Sequence, residues 1–514
     1  MIPNFFTGRK YKILLIVISF ILSAFFIYLY IKYSFHVSLN SDVVQGALEV
    51  SSILHGNILL HGWTLSPDNF LLSDLPLYLF LGIFIKNQVL LSHVAPIIIY
   101  LGLICVSLLI SLRNVSHRKI ALLSTFAVIG MLPLFTFVSF LVGFVHIGSI
   151  LEGLCSLYLF INFIDYKKTK YLLWSGVLLL AALFSDPFII WILLIPLIIF
   201  LIIKIKESIK NRGFLSIYTS TLIFILSIFV LSEILRYVIP RIAGFSIQKL
   251  AYQFATLPEI IAHITTIINN LLYVFGANFL GQLLFSHQAF EAILHFSVLC
   301  LILFFAYMTL KGGSKKMDSI NYILSMGICL DMVAFIFSNI AANDTSSSRY
   351  LFPIIIFGAI ILGRSIGNIK HIKGYVYIVA LIVFLIFFAV FFHDSSLNQP
   401  NLLGSSNVKV AKFLVAHNLK YGYGYYWNSS IVTVDSNSKV KVRAIVPNGD
   451  HFVPYFWISS GAWYFHHYAN FIVYDEDSSI FGQIATHAFG KPINVYHLGE
   501  DTILVWNKDI TPYI

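Results

Sequence analysis

Stretches of about 20 consecutive apolar residues, each long enough to cross the hydrocarbon core of a bilayer as an α-helix, recur from Ile13 to Val390. A chain built this way is a polytopic membrane protein. Its composition agrees: 58% of residues are hydrophobic, only 11% are charged, and the mean hydropathy is +0.86, outside the range of water-soluble globular domains. Beyond His393 the composition becomes mixed, which predicts a membrane domain over 1–393 and a globular domain over 394–514. The first run, Ile13 to Ile31, follows Arg9, Lys10 and Lys12, exceeds the length of a signal-peptide core and lacks a small-residue cleavage pattern, so it reads as a retained anchor.

A net charge of +10 raises the question of a nucleic-acid partner. The distribution of the charge argues against one. Basic residues fall in short gaps between alternate apolar runs: 113–119, 167–170, 204–212, 311–316, and Arg364, Lys370 and Lys373. These gaps are the ones the positive-inside rule assigns to the cytoplasm, so the excess charge encodes orientation. With the N-terminus inside, spans near 13–33, 92–112, 120–141, 145–164, 171–185, 188–203, 214–235, 289–310, 319–340, 351–363 and 374–393 satisfy every basic gap, about eleven crossings of the plasma membrane. The loops 34–91 and 236–288, the turn 341–350 and the C-terminal domain are then extracytoplasmic.

No GxxxxGK[ST] phosphate loop occurs, which argues against ATP-driven work. The four cysteines all lie in apolar segments and the C-terminal domain has none, so neither a disulfide framework nor a thiolate metal site is expected.

The polar residues concentrate in the first loop. Residues 42–54, DVVQGALEVSSIL, predict a helix along the outer membrane surface, with Asp42, Gln45, Gly46, Glu49 and Ser52 on its polar side and Val43, Ala47, Val50 and Leu54 on its apolar side. His55 and His61 follow, each preceding a glycine, at a spacing that fits hydrogen bonding better than a metal site. Trp63 reads as an interfacial anchor, with a sugar-stacking platform as the sharper alternative. Asp68 in SPDN reads as turn chemistry, Asp74 before Leu75-Pro76 as an N-cap, and Asp186 in SDP as another cap. Deeper in the chain, His146 and Glu152 sit at and below the outer start of the fourth span, where an ionisable group is a functional hypothesis by default. Arg349, beside Tyr350 in SSSRYLFP, suits phosphate recognition, with headgroup snorkelling or pairing to Asp344 as the plainer reading. Arg236 and Arg241 form a weaker second candidate.

In the C-terminal domain, 407–419 and SSIFGQIATHAF predict helices, 431–446 predicts two strands around SNS, and NFIVYD and INVYHLGEDTILVW predict further strands, making a small α/β domain. YGYGYYW and WISSGAWYFHHY lie between these elements.

NSDVVQGALEVSSILHGNILLHGWTLSPDNFLLSDLPLY, SSSRYLFP and YGYGYYW, together with the layout of one span, a long acidic loop, many spans and a C-terminal domain, resemble the GT-C superfamily of integral-membrane glycosyltransferases, in a bacterial branch distantly like polyprenyl-phosphate-sugar-dependent mannosyl- and aminoarabinose-transferases. The resemblance implies a polyprenyl-phosphate-linked sugar as donor and a glycan, lipid or protein of the cell envelope as acceptor. It implies Asp42 as general base; Glu49 is then expected to orient Asp42 or the acceptor, Arg349 to hold the phosphate, and His55, His61, Trp63, His146, Glu152 and Tyr350 are the further candidate substrate contacts. Where relatives carry a second carboxylate at the outer start of the fourth span, this chain has His146, and a divalent metal is left open. A lipid or polysaccharide transporter, or an inactive assembly scaffold, are the alternatives.

Overall fold

A computed structural model of the chain describes residues 23–143, 146–210, 217–312, 318–341, 344–370, 374–396, 406–465, 468–475 and 479–511. The anchor residues 13–22, their basic flank Arg9, Lys10 and Lys12, and parts of the basic gaps and of WISSGAWYFHHY lie outside them. The chain is mostly helical, with its main sheet near the C-terminus. Eight helices are long and apolar enough to cross a membrane, or nine if one bent pair is a single span, all among the described residues. The protein is therefore membrane-embedded and polytopic.

Residues 23–34 form α1, and a turn then leads into α2 (Gln45–Leu54), strand β1 (Trp63–Leu65) and the short apolar α3 (Leu75–Phe84). The long helices follow: α4 (Gln88–Ser111), α5 (Arg118–Ile129), α6 (Leu134–Val142), α7 (Ile147–Tyr166), α8 (Thr169–Ser185), α9 (Ile195–Lys210) and α10 (Ile217–Ala243). The span expected over 120–141 is in fact α5 and α6, bent by 79°. Gly130 caps α5 and Pro133 caps α6, and a proline there favours an extended residue before it and lacks the N–H that a continuous helix would use. Strand β2 (Ser246–Ile247) and α11 (Leu257–Val274) come next. The latter stands where a loop was expected: Thr256 and Glu259 make a capping box that starts it, and its exposed Leu257, Ile261, Ile264 and Ile268 form an apolar stripe. Then come α12 (His287–Lys311), α13 (Ser319–Phe337), a 3₁₀ turn (Thr345–Leu351) running into α14 (Phe352–Gly367), and α15 (Gly374–Ser396).

The basic end is closed by Arg364, which is almost fully buried. Its guanidinium donates to Ile110 O, Arg113 O and Asn321 Oδ1 and pairs with Asp318 Oδ2 at 2.5 Å. A buried cation left unpaired would cost several kcal/mol, and these acceptors remove that cost.

The opposite face carries the C-terminal domain: α16 (Ser406–Ala416), β3 (Tyr421–Gly424), α17 (Ser430–Asp435), β4 (Lys441–Asn448), β5 (His451–Pro454), β6 (Ser459–Ser460), β7 (Phe471–Asp475), α18 (Ser479–Phe489), β8 (Asn494–Leu498) and β9 (Asp501–Val505). Its six-stranded sheet has the order β5-β4-β3-β7-β9-β8, with β3 parallel to both β4 and β7 and the other pairs antiparallel. Two expectations fail here. IVTVD is helix α17, not a strand, because its valines and isoleucine pack into the core shared with the membrane helices; and YGYG is a central strand, with Tyr421 and Tyr423 in the core on the far face of the sheet.

The domain is docked onto the first loop. β6 pairs with β1, which also pairs with β2; Gly62 donates to Gly244 O and accepts from Gly461 N. Gly62 has φ +75° and Gly244 has φ +76°, a backbone region open to glycine, so HGW is where three segments cross.

Candidate functional site

The first loop reaches its position because hydrogen bonds stitch it to the end of α8. Asn69 Nδ2 donates to Phe184 O, Leu72 N to Ser185 Oγ, and Arg236 bridges Phe184 O (2.6 Å) and Pro67 O (3.0 Å). Ser66 Oγ closes the turn onto Asp68 O. The consequence is that Asp68, 118 positions away in sequence, lies beside Asp186.

His146 completes the group. It precedes α7 with φ +69°, a left-handed conformation that costs an L-residue about 1–2 kcal/mol and is kept where the surroundings impose it. Its Nδ1 is 2.8 Å from Asp186 Oδ2, and Asp186 Oδ1 accepts from Phe188 N at 3.0 Å. One ligand atom from each of Asp68, His146 and Asp186 can be chosen so that all lie within 4.8 Å of one another. Phe70, Phe188 and Tyr350 surround the imidazole, with ring centroids 6.1, 5.1 and 5.7 Å away. Burial, and then the neighbouring Asp186, push the Asp68 carboxyl up to about 6. Burial alone would lower the pKa of His146, but the Asp186 carboxylate outweighs it and the imidazole ends above its ordinary value.

Arg349 projects from the 3₁₀ turn, exposed, with its guanidinium 5.1 Å from the centre of the Tyr350 ring. It donates to Tyr350 Oη at 3.3 Å and lies within electrostatic reach of both Asp68 and Asp42.

Asp42 stands in the turn before α2. Its Oδ1 accepts a hydrogen bond from Tyr426 Oη in YGYGYYW, and Ser41 Oγ donates to Tyr426 O at 2.6 Å. Burial first, and then Asp42, raise the Tyr426 phenol above its ordinary value. Three distant segments thus meet in one place: the first loop, SSSRYLFP and YGYGYYW.

The remaining expected residues are placed elsewhere. The α2 helix does not present a polar side to water: Gln45 to Val50 are all buried, and Glu49 is fully enclosed with Gln45 Nε2 2.6 Å from its Oε1. Neighbouring helices and the docked domain cover the side that a helical wheel assigns to solvent. Trp63 is neither an anchor in lipid nor an open stacking platform; it is 1% exposed, its Nε1 donates to Ser52 Oγ, and Trp463 packs edge-on 5.0 Å away. His55 and His61 are exposed and do not join the site: His55 Nδ1 lies 2.6 Å from Ser51 O, and the His61 ring lies over Gly244. Asp74 occupies an N-cap position without capping through its side chain; its carboxylate instead packs over Gly148 of α7. Glu152 lies one turn beyond that glycine, half-buried. Sequence reasoning missed Asp68, Asp186 and Tyr426 as site residues. The available signal was position, since both aspartates adjoin prolines at the boundary of apolar segments.

No protein-family model and no curated protein matches the chain.

Proposed function

We propose that the protein is a membrane glycosyltransferase of the GT-C type that moves a sugar from a polyprenyl-phosphate donor to an envelope glycan, lipid or protein acceptor, with inversion, on the extracytoplasmic face. The observation that supports this reading is that Asp42, held by Tyr426, and the exposed Arg349 lie within electrostatic reach of each other, away from the end closed by Arg364. A lipid-borne phosphate sugar presents its anomeric carbon at the membrane boundary.

In the reaction, the acceptor hydroxyl gives its proton to Asp42 while its oxygen attacks the anomeric carbon. The bond from that carbon to the phosphate oxygen breaks, and polyprenyl phosphate leaves with the electron pair. Tyr426 holds one carboxylate oxygen and leaves the other to the acceptor. Arg349 offers the departing phosphate charge-assisted hydrogen bonds. The enclosure of Glu49 gives it a part in holding α2 rather than in touching substrate.

The test uses purified protein in detergent with polyprenyl-phosphate sugars. Micelles have no two compartments, so product formation there is transfer and not transport. Asp42→Asn is expected to lower turnover by about 10²–10⁴-fold, the usual contribution of a general base, with an unchanged elution profile. A folded Asp42→Asn variant with full turnover overturns the assignment.

A further inference from the structure

We propose that Asp68, His146 and Asp186 bind one divalent transition-metal ion, with Zn²⁺ the best fit and Mn²⁺ next, and that the open positions of that ion take phosphate oxygens together with Arg349. The phosphate half rests on the glycosyltransferase reading; the metal half does not.

The donor set is one imidazole nitrogen and two carboxylates. Nitrogen favours zinc and manganese over magnesium or calcium, and three protein ligands leave the open coordination that substrate-binding metal centres keep. Bonds of zinc length put tetrahedral ligand atoms about 3.3 Å apart. The three atoms here lie within 4.8 Å of one another, with the His146 to Asp186 distance already 2.8 Å, so small side-chain rotations bring them onto one ion.

The surroundings are those of a built centre. His146 and Asp186 are 4% and 0% exposed, and the three aromatic rings around the imidazole shield it from water. The main-chain N–H of Phe188 holds the second oxygen of Asp186, an outer contact of the kind that orients metal ligands. Charge balance points the same way. Both Arg236 N–H donors that fix the loop are spent on carbonyls, so they orient Asp68 without neutralising it by contact. A dication supplies that neutralisation and, with Arg349, turns the mouth of the site positive, which favours phosphate. His146 holds its strained backbone where this geometry needs it.

The full chain in detergent, stripped by chelator, is titrated with ZnCl₂ and with MnCl₂ by calorimetry, and bound metal is counted after gel filtration. One equivalent is expected. Asp68→Asn and His146→Gln should each weaken binding at least tenfold. Asp68→Asn guards against misfolding, because Ser66, Asn69 and Arg236 hold its turn through other atoms. Zinc should raise the Tm of the parent protein and not that of Asp68→Asn. Inorganic phosphate should bind the zinc-loaded protein, and Arg349→Gln should weaken phosphate without weakening zinc. Less than about a tenth of an equivalent in the parent protein, or variants that bind as tightly as it does, overturns the site. An ion bound with no sugar transfer sinks the glycosyltransferase reading alone; transfer by a protein that binds no ion sinks the metal alone.

Discussion

At the scale of single residues, Glu49 is a group whose surroundings change its chemistry. Every residue from Gln45 to Val50 is buried, and Glu49 Oε2 has no hydrogen-bond partner among the described residues. Burial pushes its carboxyl up to about 8 from 4.5, with the Gln45 amide opposing only in part. The folded state therefore binds this proton more tightly than the unfolded chain does. Stability from this group is complete below about pH 4.5 and is lost as the pH rises through about 8. Glu49→Gln, which keeps the shape and cannot ionise, removes that loss. The Tm of the parent protein should fall relative to Glu49→Gln between pH 5 and 8.5, and parallel Tm curves would show that Glu49 ionises freely.

At the scale of elements, the segment after Asp186-Pro187 matters most. Ile190–Leu194 is a π-helical turn, which widens the backbone before α9 begins. It is gripped from two sides by glycines: Gly153 of α7 faces Leu193, and a Cβ on Gly327 of α13 would overlap the Ile192 carbonyl oxygen. That atom belongs to the main chain and cannot rotate away. Gly327→Ala should then destabilise by about 1–3 kcal/mol, the range for overpacking, whereas Gly374→Ala, with open space around its Cβ position, should leave the melting temperature unchanged. Thermal melts of the two variants decide it. The same contrast explains what the sequence could disclose. Long apolar runs, the proline-marked start of α3 and the helix at 406–416 are local patterns, and they were legible. The break at Gly130–Pro133 carried its signal in the proline, but a continuous apolar run masked it. Helix α17 has the β-branched residues of a strand, and packing against the membrane helices overrides that preference. Asp68 and Asp186 looked like turn residues because each is one; their second role exists only after Asn69 and Arg236 bring the loop to α8.

At the scale of the whole molecule, the C-terminal domain is part of the site rather than an appendage. It is joined to the start of α4 by Asn437 Oδ1, which accepts from Gln88 N, and by Ser438 Oγ, which donates to Gln88 Oε1, and to the first loop by the β1–β6 pair and the Trp63–Trp463 contact. Ser41 adds a bond to the main chain of Tyr426. With so many independent attachments, loss of one hydroxyl leaves the docking in place, and Tyr426→Phe isolates the bond to Asp42. A hydrogen bond to a charged group contributes about 1.5–3 kcal/mol, so if it holds the carboxylate for reaction, Tyr426→Phe should lower kcat/KM for sugar transfer about 10- to 150-fold while the Tm stays close to that of the parent protein. The combination with Asp42→Asn identifies where the effect acts. If the phenol works through Asp42, the double variant is no slower than Asp42→Asn alone, because the second change removes a partner already silenced. If Tyr426→Phe costs the same factor in both backgrounds, its hydroxyl serves the substrate directly and the domain contributes a binding surface instead of a held base.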